Sequence, residues 1–303
     1  MTQSTADATL TGVYPAMCTP FHDDGSIDFD QLRTDAQRLE AAGVDGLVPM
    51  GSTGESATVS HDEHVEVIEA VVGAVDVPVV AGAGSNNTSE ALSLSRRAAD
   101  AGADALLLIS PYYNRPQQRG LREHYETIAD AIDLPQIVYN VPSRTGRNLD
   151  PETVVELAEH ERIQGYKAAG GDLGQVGHII ERTRDEQFDV LSGNDAETLP
   201  ILSMGGTGCI SVAANVEPRR LCALVGAARS GDYDRARQLH HDLGPLFRAL
   251  FIETNPVPVK AAMAISGHGN GNLRQPLAEL AEEHREPLES VLDRYEPLPG
   301  GEN

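Results

Sequence analysis

Residues 136–168 read QIVYNVPSRTGRNLDPETVVELAEHERIQGYKA. The segment opens on an apolar run, Gln136–Val141, and crosses a loop of turn-forming and basic residues. It then enters a helix at Pro151, with Asp150 at the N-cap and proline at the first helical position, where its missing N–H costs nothing. The helical spacing runs to Glu159, and a second apolar run, Ile163–Ala168, closes the segment. Neither run alternates strictly between polar and apolar residues. That is the signature of a strand covered on both faces, as in a parallel sheet.

The same strand-then-helix pattern extends outward in both directions. Val13–Pro20, Gly46–Met50, Val77–Gly82 and Ala105–Ser110 precede it, and Phe188–Ser192 and Cys209–Ala213 follow, with run starts about 20 to 34 residues apart. A representative helix is Thr88–Ala101, where Leu92, Ala98 and Ala99 recur at helical spacing and Gly102 ends the element. Eight such units predict an α/β chain folded as a (β/α)8 TIM barrel. A doubly wound open sheet is the competing layout, and the lack of any break in composition favours the closed barrel. After Asn215 only helices are expected: Pro218–Ala228, which completes the barrel, then Tyr233–Leu250, Pro256–Ile265 and one near Leu277–Leu292 as a C-terminal helical appendage. The expected organisation is a frayed lead-in over 1–10, the barrel over 11–229, and C-terminal helices and tail over 230–303.

Composition narrows the functional classes. The chain has 303 residues, 46 acidic against 23 basic, and a formal net charge of −23. Such a charge disfavours nucleic acid or an anionic membrane as partner, and no apolar stretch is long enough to span a bilayer. Acidic residues are spread along the chain, which reads as adaptation to high salt rather than as one face for a basic partner. The first ten residues lack the basic and apolar regions of a signal peptide. Cys18, Cys209 and Cys222 show no metal-ligand spacing and are expected to be reduced, in a cytoplasmic protein. Only two of the 23 basic residues are lysines, Lys167 and Lys260. Where lysine has been replaced nearly everywhere, a retained one is a candidate for chemistry.

In a barrel of this type the site forms at the C-terminal ends of the strands. Lys167 lies there, inside an apolar run. A buried lysine loses its proton readily and becomes a nucleophile able to form a Schiff base; a rim lysine in an ion pair is the alternative. Lys260, on a helix after Asn255-Pro256-Val257-Pro258, reads as structural. Gly51-Ser52-Thr53-Gly54 offers hydroxyls and open backbone N–H groups for a carboxylate or phosphate, or is a plain turn. Gly82-Ala83-Gly84 follows a strand but lacks the third glycine of a dinucleotide site. His61-Asp62-Glu63-His64 has the wrong spacing for a zinc helix and reads as a first helical turn capped by Ser60, so no metal is expected. Tyr113 and Tyr139 at strand ends can move protons, and Arg144 can clamp a carboxylate. The set describes a lyase or aldolase acting on an α-keto acid, with no cofactor.

Gly51-Ser-Thr-Gly-Glu-Ser-Ala57, Pro111-Tyr-Tyr-Asn-Arg-Pro116, Tyr139-Asn-Val-Pro-Ser-Arg-Thr-Gly146 and Lys167 resemble the 4-hydroxy-tetrahydrodipicolinate (dihydrodipicolinate) synthase family, from about residue 10 to 266. The wider superfamily includes N-acetylneuraminate lyase and keto-deoxy-sugar-acid aldolases. The resemblance implies condensation of pyruvate with aspartate 4-semialdehyde, in lysine and diaminopimelate biosynthesis. It implies a Schiff base at Lys167, a proton relay of Tyr139, Ser52 and Tyr113, and pyruvate held by Thr53, Gly193 and the Ile210 carbonyl. Arg144 would grip the semialdehyde carboxylate. It further implies a homotetramer, a dimer of dimers in which Tyr113 reaches into the partner's site. An effector site for L-lysine would be formed by Ser56, Ala57, His61, His64, Asn86, Glu90 and Tyr112. The chain departs from the family at Ser52, where threonine is commoner, and at Gly165-Tyr166-Lys167-Ala168-Ala169, which replaces the usual Ile-Lys-Glu-Ala. A keto-deoxy-gluconate-type or neuraminate-type aldolase on the same scaffold, and a non-catalytic keto-acid sensor, are the competing readings.

The salt reading has a direct consequence. Thermal unfolding followed by circular dichroism should shift upward by roughly 5–10 °C between low salt and molar KCl, a few kcal/mol in a chain of this length. A midpoint indifferent to KCl would overturn it.

Overall fold

The computed structural model describes residues 10–295. Seven parallel strands are formed: β1 (Gly12–Pro15), β2 (Val80–Gly82), β3 (Ala105–Ile109), β4 (Gln136–Asn140), β5 (Ile163–Ala168), β6 (Asp189–Ser192) and β7 (Gly208–Ser211). Their order in the sheet is β1-β7-β6-β5-β4-β3-β2. Residues 46–50, expected as an eighth strand, appear as two isolated parallel bridges, Ala16 to Val48 and Leu47 to Val79. They nonetheless close the sheet into a barrel. Val48 donates to the Pro15 carbonyl at 2.9 Å, and Met17 donates to the Val48 carbonyl at 3.0 Å. On the other edge Val80 donates to Leu47 at 2.8 Å and Gly82 to Pro49 at 3.0 Å. Pro15, Pro49 and Pro78 carry no N–H, so this stave has backbone bonds on both flanks but no continuous ladder.

Alternation along each strand sorts the core into two layers. Tyr14, Val48, Val80, Ala105, Leu107, Ile137, Tyr139, Leu191 and Ile210 fill the barrel interior. Leu106, Leu108, Val138, Tyr166 and Val190 point outward, into the larger core under the helices. Gly82 and Gly84, which fall short of a dinucleotide loop, serve this packing. A Cβ on Gly82 would stand 2.1 Å from the Met50 carbonyl oxygen, and one on Gly84 would stand 2.3 Å from the Ile109 nitrogen. Leu10, expected in the frayed lead-in, is buried at 3% exposure, and its N–H donates to the Asp189 carboxylate at 2.8 Å. It plugs the barrel floor. The rest of that lead-in, residues 1–9, lies outside the described residues.

The helices follow the sequence reading closely. Thr88–Asp100 and Pro151–Ala158 occupy their expected places, although Asp150 makes no side-chain cap bond. His61–Val72 begins with a full capping box: Ser60 accepts from the Glu63 N–H, and the Glu63 carboxylate accepts from Ser60 N–H. Helices Tyr233–Ala249, Val257–Ile265 and Glu282–Leu292 form the C-terminal part. The last begins at Glu282 rather than near Leu277. His284 there meets Glu253 at 2.6 Å, and Tyr295 just beyond it donates to the Asp242 carbonyl at 2.9 Å. No helix among the described residues is long and apolar enough to cross a membrane. All three cysteines are free.

Candidate active site

Strand register places Lys167 inside the barrel. It pairs with Tyr139 on β4 and Leu191 on β6, both inward-facing residues. The side chain is 6% exposed, and its Nζ lies 4.1 Å from the centre of the Tyr139 ring. Burial pulls the amine down from its ordinary range to about 7, and the Arg144 charge pulls the same way. The Asp195 carboxylate opposes both. Gly193 makes the room. A Cβ there would stand 2.9 Å from Lys167 Cε and 3.0 Å from the Ala168 carbonyl oxygen, which the Gly193 N–H itself binds at 2.7 Å.

Asp195 is a residue that sequence reasoning passed over. It is 2% exposed and sits just past β6. One carboxylate oxygen accepts from the Val212 and Ala213 N–H groups, at 3.2 and 2.9 Å. The other accepts from the Ser211 hydroxyl, whose oxygen in turn accepts from the Ala214 N–H at 2.9 Å. Burial pushes this carboxyl upward, but three donors converge on it and both oxygens act as acceptors. These donors and the Lys167 charge favour its charged form against that burial. Its only sequence signal was its place after Gly193-Asn194 at a strand end.

Tyr139 is 6% exposed, and burial raises its phenol above the ordinary value; a hydrogen bond with Ser52 and the Arg144 charge work against that rise. Ser52, Tyr139 and Arg144 line one cavity of about 630 Å3. Arg144 lies on the short helix Pro142–Thr145, a direct continuation of β4. One guanidinium nitrogen donates to the Asn255 carbonyl at 2.8 Å, and no carboxylate pairs with it among the described residues. The Asn255 side-chain amide donates to the Thr53 hydroxyl at 3.0 Å, leaving the Thr53 proton for another acceptor. Thr53 is buried, as is Ile210 on β7 in the same interior layer as Tyr139. Tyr113 is not brought to this cluster within one chain. It is 87% exposed, with a left-handed backbone at φ +70.

The residues assigned to an effector border the same cavity. Ser56, Ala57, His61, His64, Glu90 and Tyr112 line it, together with Pro276 and Leu277 from the C-terminal segment, whereas Asn86 does not. His61 meets Glu90 at 3.0 Å, and Ser85 donates to the same carboxylate. His64 is buried, its Nε2 at 2.6 Å from the Gly82 carbonyl oxygen. The two histidines thus have separate partners, as the capped-helix reading expects.

Comparison with known proteins follows the same line. Residues 9–295 match the family model described as the dihydrodipicolinate synthetase family. The 4-hydroxy-tetrahydrodipicolinate synthase of Haloarcula marismortui is 70% identical over 286 residues, covering 94% of each chain. The protein of the same name from Natronomonas pharaonis is 67% identical, over 94% of this chain and 97% of that one. Among solved structures, the DHDPS of Cyanidioschyzon merolae with lysine bound superposes with a TM-score of 0.92 at 36% identity, covering 95% of this chain and 99% of that one. With its barrel, its buried strand-end lysine and these relatives, the chain belongs to the dihydrodipicolinate synthetase family.

Proposed function

We propose that the protein condenses pyruvate with L-aspartate 4-semialdehyde to give 4-hydroxy-tetrahydrodipicolinate, through a Schiff base on Lys167. The observation that carries this reading is a buried strand-end lysine packed on Tyr139, which lines one cavity with Ser52 and Arg144; burial lowers the amine to about 7. An amine neutral near physiological pH attacks the pyruvate ketone. Water leaves to give the imine, and loss of a methyl proton gives the enamine. The enamine carbon then adds to the aldehyde of the second substrate. Attack of that substrate's amino group on the imine carbon closes the ring and returns Lys167 free. These steps move protons among buried groups, and the Tyr139–Ser52 hydrogen bond is suited to carry them. Thr53, Gly193 and the Ile210 carbonyl hold pyruvate, and Arg144, which lacks a carboxylate partner of its own, binds the carboxylate of the semialdehyde.

Arg144 separates this reading from the sugar-acid aldolases. The Arg144→Ala enzyme should lose condensation by roughly 100-fold. It should still be trapped by borohydride as a pyruvyl adduct, detected by mass, whereas Lys167→Ala should give no adduct. Unimpaired condensation in Arg144→Ala, or faster cleavage of keto-deoxy-gluconate than condensation by the wild type, would refute the assignment.

The acid limb of the rate profile belongs to the Lys167 amine. Below about pH 7 the amine is protonated and cannot attack. The Asp195 charge raises that value, so Asp195→Asn should move the acid limb of kcat/KM for pyruvate to lower pH, by on the order of one unit. A limb that stays or moves up would exclude Asp195 as the counter-charge.

The exposed Tyr113 supports a homo-oligomer, a tetramer built as a dimer of dimers, in which this phenol completes the relay of a partner's site. The cytoplasm is the proposed location, in keeping with three free cysteines. Glu90, already engaged by His61 and Ser85, supports an effector site for the ammonium of L-lysine. Sedimentation and initial rates measured with 0 to 10 mM L-lysine, a range typical of weak amino-acid effectors, should show an oligomer whose rate falls severalfold. A monomer, or rates indifferent to lysine, would each remove the corresponding part of the proposal.

A further inference from the structure

Lys260 has no place in the chemistry above, yet it is one of two lysines in a chain with 21 arginines. It is 3% exposed, on the helix Val257–Ile265. Its ammonium donates to the Glu55 carboxylate and, at 2.7 Å, to the Asn272 carbonyl; it stands 4.2 Å from the centre of the Phe21 ring. Arg274 covers Phe21 as well, at 4.5 Å. Its backbone N–H binds the second Glu55 oxygen at 3.1 Å, and its guanidinium binds Glu63 and the Thr58 carbonyl. The slot for Nζ, between a carboxylate, a carbonyl and a ring face, suits a compact ammonium with three donors rather than a planar guanidinium.

Glu55 gives the slot its significance. Its side chain is fully buried, and its backbone is left-handed at φ +54, a costly conformation for glutamate that the surroundings must hold. It directly follows Ser52-Thr53-Gly54 and precedes Ser56-Ala57, so one turn carries both the substrate-side hydroxyls and the start of the effector-side wall. The helix bearing Lys260 and the turn that leads into it grip residues 51–58 twice, through Asn255 to Thr53 and through Lys260 to Glu55. Asn255 also holds Arg144.

We infer that the Glu55–Lys260 pair is a positioning device, which locks residues 51–58 onto the helix Val257–Ile265 so that Thr53 and Arg144 share one frame. This rests on the reading of Thr53 and Arg144 as the groups that bind the two substrate carboxylates. A shift of the turn by a fraction of an ångström separates the two grips and weakens productive binding more than it slows bond formation.

Steady-state kinetics on Lys260→Met and Lys260→Arg test the assignment, with unfolding followed in the same samples. The first removes the charge, and the second keeps it on a group too large for the slot. Both should raise the KM for pyruvate by roughly tenfold or more, with kcat changed less. If the single variants do not fold, Glu55→Gln/Lys260→Met, which leaves no unpaired buried charge, takes their place with the same expectation. A lowered melting temperature with pyruvate KM within about twofold of wild type would show a purely structural pair and overturn the inference. Borohydride trapping of wild type with pyruvate runs alongside. Failure there would remove the aldolase reading itself, whereas trapping with unchanged variant KM would remove the positioning role alone.

Discussion

The site depends on keeping one amine dry. Lys167 costs the fold stability, because an unfolded lysine holds its proton to about pH 10.5 whereas the folded one releases it near 7. Between those values the unfolded chain binds the extra proton, so stability rises with pH across that window. The penalty is greatest below pH 7, on the order of 5 kcal/mol, a large share of the stability of a typical domain. The barrel bears it by surrounding the amine with a ring face, a closed apolar interior and one anion. Were Asp195 absent, burial would lose the largest charge that opposes it. Were it nearer or freer of donors, the amine would stay charged and inert. The three donors on Asp195 settle a compromise between a folded protein and a nucleophile.

The two loops that line the cavity with Ser52 and Arg144 are each fixed from behind. Residues 51–58 are held by the helix Val257–Ile265. The Arg144 loop is held by a polar network outside the barrel: the Asn140 side chain donates to Tyr166 at 2.9 Å and to Asn148 at 2.8 Å, and accepts from the Leu149 N–H at 3.0 Å. Gln175 accepts from Asn148 at 2.8 Å. This gives a physical role to the unusual Tyr166. Its side chain faces away from the chemistry that its neighbour Lys167 performs, and its hydroxyl receives the amide that pins the loop.

Much of this was legible in the sequence because it is written in local signals. Apolar runs, the Ser60–Glu63 box and Pro151 announce elements within a few residues. Lys167 stood out because an amine inside an apolar run is expensive. What was not legible joins distant segments. Glu55 and Lys260 are 205 positions apart and Asp195 meets a turn 17 positions on, and neither pairing leaves a periodic trace. The stave at 46–50 misled for a different reason. Its apolar composition reads as a strand, and only the neighbouring prolines decide that its backbone bonds form singly. Tyr113 carries no signal of its surroundings at all, since a single chain leaves it in solvent.

Acidity and lysine scarcity now read as two sides of one constraint. Every exposed basic side chain other than histidine is arginine, while the two lysines are 6% and 3% exposed. A pressure that acts through hydration can remove lysine stems only where water touches them. It has no purchase on a buried residue, where the neighbours decide. At Lys167 they require an amine that can lose its proton, which a guanidinium does not. At Lys260 they require a donor small enough to sit on Phe21 and reach both Glu55 and the Asn272 carbonyl. The composition of this chain therefore marks the two places where the interior demands a lysine: a releasable amine at Lys167 and a compact ammonium at Lys260.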